Sequence, residues 1–367
     1  MAVKRLLCIV GGMNAGGAET FLMKIYRRLD KTKYQMDFAV AVKEEGYYDH
    51  EIKTLGGRIF HITPKSEGTV KNFNSIRRIV KENGYKSVLR VSQHSLSALE
   101  LLAAWFGGAK QRIYRSSNSN TTSERKLALT HKLCSFMPKC FANIRIAPST
   151  EAAEFMFGKG CIQSGKATLL NNAIDIEIFR FREEERKALR QQFNCENDLV
   201  IGHVGRFDAQ KNHGFLLEVF ACILKKQPHS KLLLIGQGSL EQAIRQKAQE
   251  LDLLDHVIFT GVRSDIPQIL SAMDVFVFPS LYEGMPNTVI EAQATGLPCI
   301  IADTITREAD ITGLVQYLSL ADDPKIWADA ALEAAKQPRR NTRKDFIENR
   351  YDIQSTVENF VKLCFDN

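Results

Sequence analysis

The stretch Val275-Phe276-Val277-Phe278-Pro279-Ser280-Leu281-Tyr282-Glu283-Gly284-Met285-Pro286-Asn287-Thr288-Val289-Ile290-Glu291 reads as strand, turn and helix in direct succession. An apolar run ends at Pro279-Ser280. A Gly-x-Pro turn follows, and the carboxylates Glu283 and Glu291 stand eight residues apart around it. Pro286 suits the first helical position, where its missing N–H has no intrahelical use. The predicted helix starts just after Gly284 and runs to Ala294-Thr295-Gly296-Leu297-Pro298. Its first N–H groups would point at whatever lies above the strand, which makes an anion site. Asn287 and Glu291 fall one turn apart on one helix face, while Glu283 stays in the turn.

The same succession recurs on both sides of this stretch. Short β-like runs at 6–10, 36–42, 58–62, 87–91, 111–114 and 144–147 occupy the first half. Runs at 199–204, 231–235, 257–260, 274–278, 299–302 and 314–318 occupy the second. Amphipathic helical patterns at 19–29, 72–81, 215–225, 240–251 and 324–335 lie between them. The βαβα order predicts parallel sheets covered on both faces. The expected fold class is α/β, with two doubly wound, Rossmann-like domains facing across a cleft. The seam falls near Leu170-Asn171-Asn172-Ala173-Ile174-Asp175, where a strand ends in turn residues. This gives a first domain at 1–172, a second at 173–348, and a last helix within 349–367 that packs back on the first. In open sheets of this kind, ligands bind beyond the carboxyl ends of the strands.

Composition sets the bounds. The chain has 367 residues, of which 44% are hydrophobic and 25% charged, as in an ordinary globular protein of two domains. No apolar run reaches the ~18 residues of a membrane span, and no signal peptide is read at the N-terminus. The eight cysteines form no Cys-x-x-Cys pair, so reduced thiols in a cytoplasmic protein are expected and a zinc site is not. Charge is uneven. Residues 1–172 carry 27 Lys+Arg against 13 Asp+Glu, a net of +14, whereas residues 173–367 carry 22 against 29, a net of −7. A basic first half points to an anionic partner such as a membrane surface, or to a solvated basic face. Nucleic acid is disfavoured, because no aromatic–basic motif accompanies the charge.

Several strand-end loops carry groups suited to chemistry. Gly11-Gly12-Met13-Asn14-Ala15-Gly16-Gly17 lacks the register of a dinucleotide fingerprint, but Gly16 and Gly17 precede a helix and offer an anion or sugar contact. Gly205-Arg206-Phe207-Asp208-Ala209-Gln210-Lys211-Asn212-His213 places Arg206 and Lys211 around one loop. An Arg fork and a Lys point charge suit a diphosphate, bound or departing. His213 is expected to start and pack the next helix. Gly236 and Gly238 permit close approach to a ligand, and Val262 and Arg263 offer backbone groups to a base edge. Asp265 is expected to cap the helix after it. With Met285, Pro286, Asn287, Thr288 and Glu291, these loops suit a ligand with phosphate in its middle and hydroxyls at both ends. A nucleotide-sugar is such a ligand.

With these residues on the page, the chain resembles glycosyltransferase family 4, the retaining enzymes of GT-B fold, in the flavour of capsular, exopolysaccharide and O-antigen transferases. The resemblance rests on Gly-Gly-Ala-Glu at 16–19, Gly-Arg with Lys-Asn at 205–212, and Gly-x-Gly at 236–238. It rests also on Pro-Ser-x-x-Glu-Gly-x-Pro with its second Glu at 279–291, and Gly-x-Pro at 296–298. It implies that Arg206 and Lys211 hold the donor diphosphate, Glu283 touches hydroxyls of the donor sugar, and Glu291 touches the ribose hydroxyls. It implies no metal and no cofactor, a UDP-sugar donor, and a lipid-linked or growing oligosaccharide as acceptor. Transfer would occur on the front face, with the departing phosphate taking the acceptor's proton.

The chain departs from the family where relatives carry a His after the strand at 111–114. It has Tyr114-Arg115-Ser116-Ser117-Asn118 instead. Arg115, Asn118 and the nearby His94 are the candidates for acceptor or sugar contacts. Arg115 would favour an anionic group or else form a structural ion pair. The basic amphipathic segment 125–141 reads either as a peripheral membrane contact or as a core helix with a solvated face. Two other functions are weighed: a nucleotide-sugar epimerase, for which no acid/base pair is found, and a non-catalytic sugar-nucleotide binder.

Overall fold

The computed structural model describes residues 3–14, 16–116, 131 and 133–366. The chain forms two compact units, Met1–Ala173 with Ile353–Asn367, and Ile174–Asp352.

The first unit is built on seven parallel strands: β1 (Lys4–Val10), β2 (Tyr34–Val40), β3 (Ile59–His61), β4 (Ser87–Ser92), β5 (Gln111–Ser116), β6 (Ile144–Ala147) and β7 (Thr168–Leu169). Their order across the sheet is β3-β2-β1-β4-β5-β6-β7. Strand β1 shows why this is a covered sheet. Its apolar residues alternate between two separate cores, Leu6, Cys8 and Val10 on one face and Leu7 and Ile9 on the other. The helix Gly17–Arg28 covers the first face with Phe21, Leu22 and Ile25. The last helix, Ile353–Cys364, adds Val357, Phe360 and Cys364 to the same core. Strand β7 is the strand that ends at the seam near Leu170. It is two exposed residues long, too short to carry a pattern.

The second unit has six parallel strands: β8 (Leu199–Val204), β9 (Ser230–Ile235), β10 (Val257–Gly261), β11 (Val275–Phe278), β12 (Cys299–Ala302) and β13 (Val315–Leu318). Their order is β10-β9-β8-β11-β12-β13. All four residues of β11 are buried, so the strand reads as an unbroken apolar run. Trp327 is fully buried and gives its indole N–H to the Ser319 carbonyl at 2.9 Å. Asp274, just before β11, receives Arg186 at 2.5 Å, Arg190 at 3.1 Å and the Val200 N–H at 2.8 Å. These bonds anchor β8, β11 and the helix Glu183–Gln192 to one carboxylate.

Each sheet reverses its order at its first strand. Strand β1 lies between β2 and β4, and β8 lies between β9 and β11. The loops leaving β1 and β4 therefore head for opposite edges, as do those leaving β8 and β11. Such a switch point opens a crevice at the carboxyl ends of the strands.

Candidate active site

In the second unit, the switch point brings Lys211 and Glu283 together. Lys211 follows β8, Glu283 follows β11, and the ammonium lies 2.6 Å from the Glu283 carboxylate. Both side chains are largely buried, at 15% and 10% exposure. The Lys211 ammonium also sits 4.6 Å from the centre of the Phe278 ring, at the last position of β11. Three local bonds fix the geometry. Asp208 accepts from the Lys211 N–H at 3.3 Å and closes the 3-10 turn Ala209–Lys211. The Gln210 carbonyl accepts from Leu281 N–H at 2.8 Å, and the Gln210 amide donates to the Tyr282 carbonyl at 2.8 Å. Sequence reasoning passed over Asp208, Gln210 and Phe278. For Asp208 a signal existed, since Asp three residues before the end of a short turn is a capping pattern.

Arg206 lies in the same loop but is 76% exposed in its side chain, and its ion-pair contact is with Asp208, at 3.2 Å. The loop thus carries one cation that is held and one that faces water. Helix Asn287–Ala294 begins beside Glu283 with no side chain capping its first turn. Pro286 is not its first residue but the one before, extended at ψ 95°. Its carbonyl serves the N–H groups of Val289 and Ile290. Pro286 is buried, whereas Met285, Asn287, Thr288 and Glu291 are half-buried.

The glycines of this region are explained by loop-on-loop packing. A Cβ on Gly236 would run into the Gly205 carbonyl, and one on Gly238 into the Phe207 carbonyl. Gly236 also holds φ at +139°, a conformation that side chains resist. A Cβ on Gly205 would press on the His203 ring and the Lys211 stem. The β8 and β9 loops can therefore lie against each other only as glycine backbone. Val262 is exposed at the next strand end. Arg263 is engaged in a two-pronged pair with Asp265, at 2.8 and 2.6 Å. This corrects the reading of Asp265 as a helix cap: its carboxylate is taken by Arg263, and no side-chain bond caps the helix Ile266–Ala272.

Beneath the Lys211 loop lie two buried histidines. His213 opens the helix His213–Lys226, as expected, and its ring meets His203 edge-on at 4.7 Å. His203 bonds the Val277 carbonyl through Nδ1 at 3.0 Å. Burial pushes His213 down to about 4 and His203 well below its ordinary value, so both rings are neutral at pH 7.

In the first unit, Gly16 and Gly17 stand at the start of the helix after β1, and His94 lies in the loop after β4, so the three flank that sheet's switch point. His94 lines a cavity of ≈ 300 Å³ with Lys65, Arg90 and His131. Its carbonyl is fixed by Tyr114 Oη at 2.7 Å and Ser97 Oγ at 2.5 Å. Glu100 links Lys65 at 2.9 Å with Arg90 at 2.5 Å. Burial, with Lys65 and Arg90 nearby, lowers the His94 pKa. Arg115 is a different case. It is 2% exposed, donates to Asn172 Oδ1 at 2.7 Å and lies 3.8 Å over the Phe21 ring. No carboxylate pairs with it among the described residues, and burial pulls its pKa down to about 9. Asn118 and residues 125–130 and 132 of the basic segment lie outside the described residues. Beyond them, Met137–Phe141 forms one short helix, with Leu133 and Phe136 exposed before it.

Among the described residues, no cluster of three or more His, Cys, Asp or Glu is placed to hold a metal ion. No helix there is long and apolar enough to cross a membrane.

Two α/β units, each open at a switch point, with a buried cation–carboxylate pair in one of them, define a GT-B type of protein. Known proteins agree. The Anabaena protein HepE, solved in complex with UDP, superposes with a TM-score of 0.79 at 18% identity over 98% of this chain and 99% of its own, a likeness that shows the fold. A model of the family described as "Glycosyl transferases group 1" matches residues 198–337. The provisionally assigned glycosyltransferase EpsF of Bacillus subtilis (strain 168) is 36% identical over 364 residues, 96% of this chain and 94% of EpsF. The chain belongs to the glycosyltransferases. A more distant relative, the Escherichia coli UDP-Gal:alpha-D-GlcNAc-diphosphoundecaprenol alpha-1,3-galactosyltransferase, is 28% identical over 64% of this chain and 62% of its own length.

Proposed function

We propose that this chain is a retaining, metal-independent glycosyltransferase of family 4. It takes a sugar from a UDP-sugar and passes it to a hydroxyl of a lipid-linked or growing polysaccharide. The observation that carries the reading is the Lys211–Glu283 pair at the switch point of the second unit, beside an uncapped helix start. Lys211 and the exposed Arg206 supply positive charge for a diphosphate, and the start of the Asn287 helix adds its N–H groups. Glu283 holds hydroxyls of the donor sugar, and Glu291, one turn into the helix, those of the ribose. His94, which lines a cavity of the first unit, belongs to the sugar or acceptor side.

In the reaction, the bond between the sugar's anomeric carbon and the phosphate oxygen breaks. The acceptor oxygen bonds to the same face of that carbon. The acceptor's proton goes to the departing phosphate oxygen, so no protein base is required. Lys211 and Arg206 stabilise the charge that collects on the leaving diphosphate. Relatives support the substrate class. One is named for a UDP-galactose donor and a diphosphoundecaprenol acceptor, and another for Vi polysaccharide biosynthesis. A lipid-linked acceptor would place the protein at the inner face of the cell membrane.

The test is a screen of the purified chain against UDP-, GDP-, ADP- and dTDP-sugars with EDTA present, followed by NMR of the product's anomeric proton. Turnover of a UDP-sugar with retained configuration is expected. An inverted product, or activity abolished by EDTA and restored by a divalent ion, would overturn the mechanism.

A further inference from the structure

A second cavity, of ≈ 410 Å³, lies in the second unit between the short helix Ile176–Phe179 and the segment 339–343. Its volume is within the range of small-molecule sites. It opens beside Ala294, the last residue of the helix that begins at the donor loop, so about 12 Å of helix separates the two places. Four arginines line it, Arg180, Arg339, Arg340 and Arg343, and Glu177 is the acidic residue in its wall. This concentration runs against composition, because residues 173–367 carry a net charge of −7.

The four arginines are not equally occupied. Arg339 is a fixed part of the wall, donating to the carbonyls of Thr295 at 3.0 Å, Leu270 at 2.9 Å and Met273 at 2.5 Å. Arg340 is shared between the Thr312 carbonyl and Asp345. Arg180 and Arg343 are 62% and 63% exposed, and their ion-pair contact is with the same Glu177, at 3.8 and 3.5 Å. Those distances exceed that of a charge-assisted hydrogen bond. Two forks thus converge on one carboxylate that satisfies neither. Ile176 and Phe181 supply an apolar wall alongside them.

We propose that this cavity is a second anion site, which takes the phosphate group of a small organic phosphate. The phosphate oxygens bridge Arg180 and Arg343, and the carbon body lies against Ile176 and Phe181. A phosphate monoester carries nearly two charges and three acceptor oxygens, and so outcompetes a single carboxylate for two forks. The phosphate belongs either to a soluble metabolite or to a lipid headgroup, since both present the same chemistry.

The test uses the full chain carrying Lys211→Ala, which removes the donor-site cation. Calorimetric titration with phenyl phosphate is expected to show one site, filled more tightly than by inorganic phosphate. Arg180→Ala with Arg343→Ala should weaken it at least tenfold while the melting curve stays unchanged. Glu177→Gln should tighten it, by removing the competing carboxylate. Affinity that neither change alters, or no binding at millimolar phenyl phosphate, overturns the proposal. Sedimentation with phosphatidylglycerol vesicles separates the sources. Arginine-dependent pelleting assigns a lipid headgroup, and phenyl phosphate binding without pelleting assigns a soluble phosphate.

Discussion

Lys211 and Glu283 are 72 residues apart in sequence and 2.6 Å apart in space. Each neutralises the other in a site that is closed to most water. Removing either leaves a largely buried, unpaired charge. We expect Lys211→Ala and Glu283→Ala each to lower turnover by a hundred- to a thousandfold, or roughly 3–4 kcal/mol. Because the two act as a unit, the double variant should lose far less than the sum of the single losses. Initial rates of UDP release across the four proteins measure this, and additive losses would separate the roles assigned to the pair.

Arg206 predicts a different pattern. Its side chain is mostly in water and its partner Asp208 is in the same loop. Such exposed pairs contribute little to stability. Arg206→Ala should therefore melt like the parent protein yet lose turnover at saturating donor. A variant with unchanged kcat would remove Arg206 from the leaving-group site.

Gly236→Ala and Gly238→Ala test the packing of the β8 and β9 loops. Each adds a methyl group where a neighbouring carbonyl already stands, and at Gly236 the backbone conformation is also unfavourable. The expected cost is about 1–3 kcal/mol. In a unit of this size that corresponds to a fall of several degrees in Tm. Donor affinity should fall with it, since Gly205 and Lys211 belong to the displaced loop.

The buried histidines give the second unit an acid limit. His213 is held neutral with its pKa pushed down to about 4, against an ordinary 6.5. The unfolded chain therefore binds a proton that the folded chain refuses between those values. Above pH 6.5 both states are neutral and stability is unaffected. As pH falls from 6.5 to 4, stability is lost, by about 3 kcal/mol in total from His213. His203 works in the same direction. Urea melts at pH 7, 6 and 5 should show this slope, and His213→Phe should reduce it to the share that His203 contributes.

Asp274 is the carboxylate that joins Arg186, Arg190 and the β8 backbone. Asp274→Ala leaves two guanidinium groups without their charge partner. A loss of about 3–5 kcal/mol follows, by analogy with other broken buried pairs. A melting temperature within a degree of the parent would contradict it.

How far the sequence carried these conclusions depended on the range of each interaction. Strands such as β8 and β11 were legible because their apolar runs and terminal turn residues are local properties. Lys211 and Glu283 were both singled out as candidates in the sequence, but their pairing was not legible, since it is created by the strand order. Arg115 shows the opposite limit. Nothing in Tyr114-Arg115-Ser116 signals that a guanidinium will be buried on Phe21 with an amide for partner. Gly236 and Gly238 were legible as positions that need glycine, but the adjacent loop that fills their Cβ positions was not, because it comes from another strand.

Strands β8 and β11 share only two paired positions, Ile201 with Val275 and Gly202 with Phe276. A slip of one residue there would carry Glu283 about 3.3 Å along the sheet relative to Lys211. That exceeds the whole distance between them. The alignment is keyed inside the sheet, where Met273, just before β11, fills the space that a Gly202 side chain would need. The thioether thus works as a gauge block set deep in the unit. Sequence drift at Gly202 or Met273 would detune the Lys211–Glu283 pair without touching it.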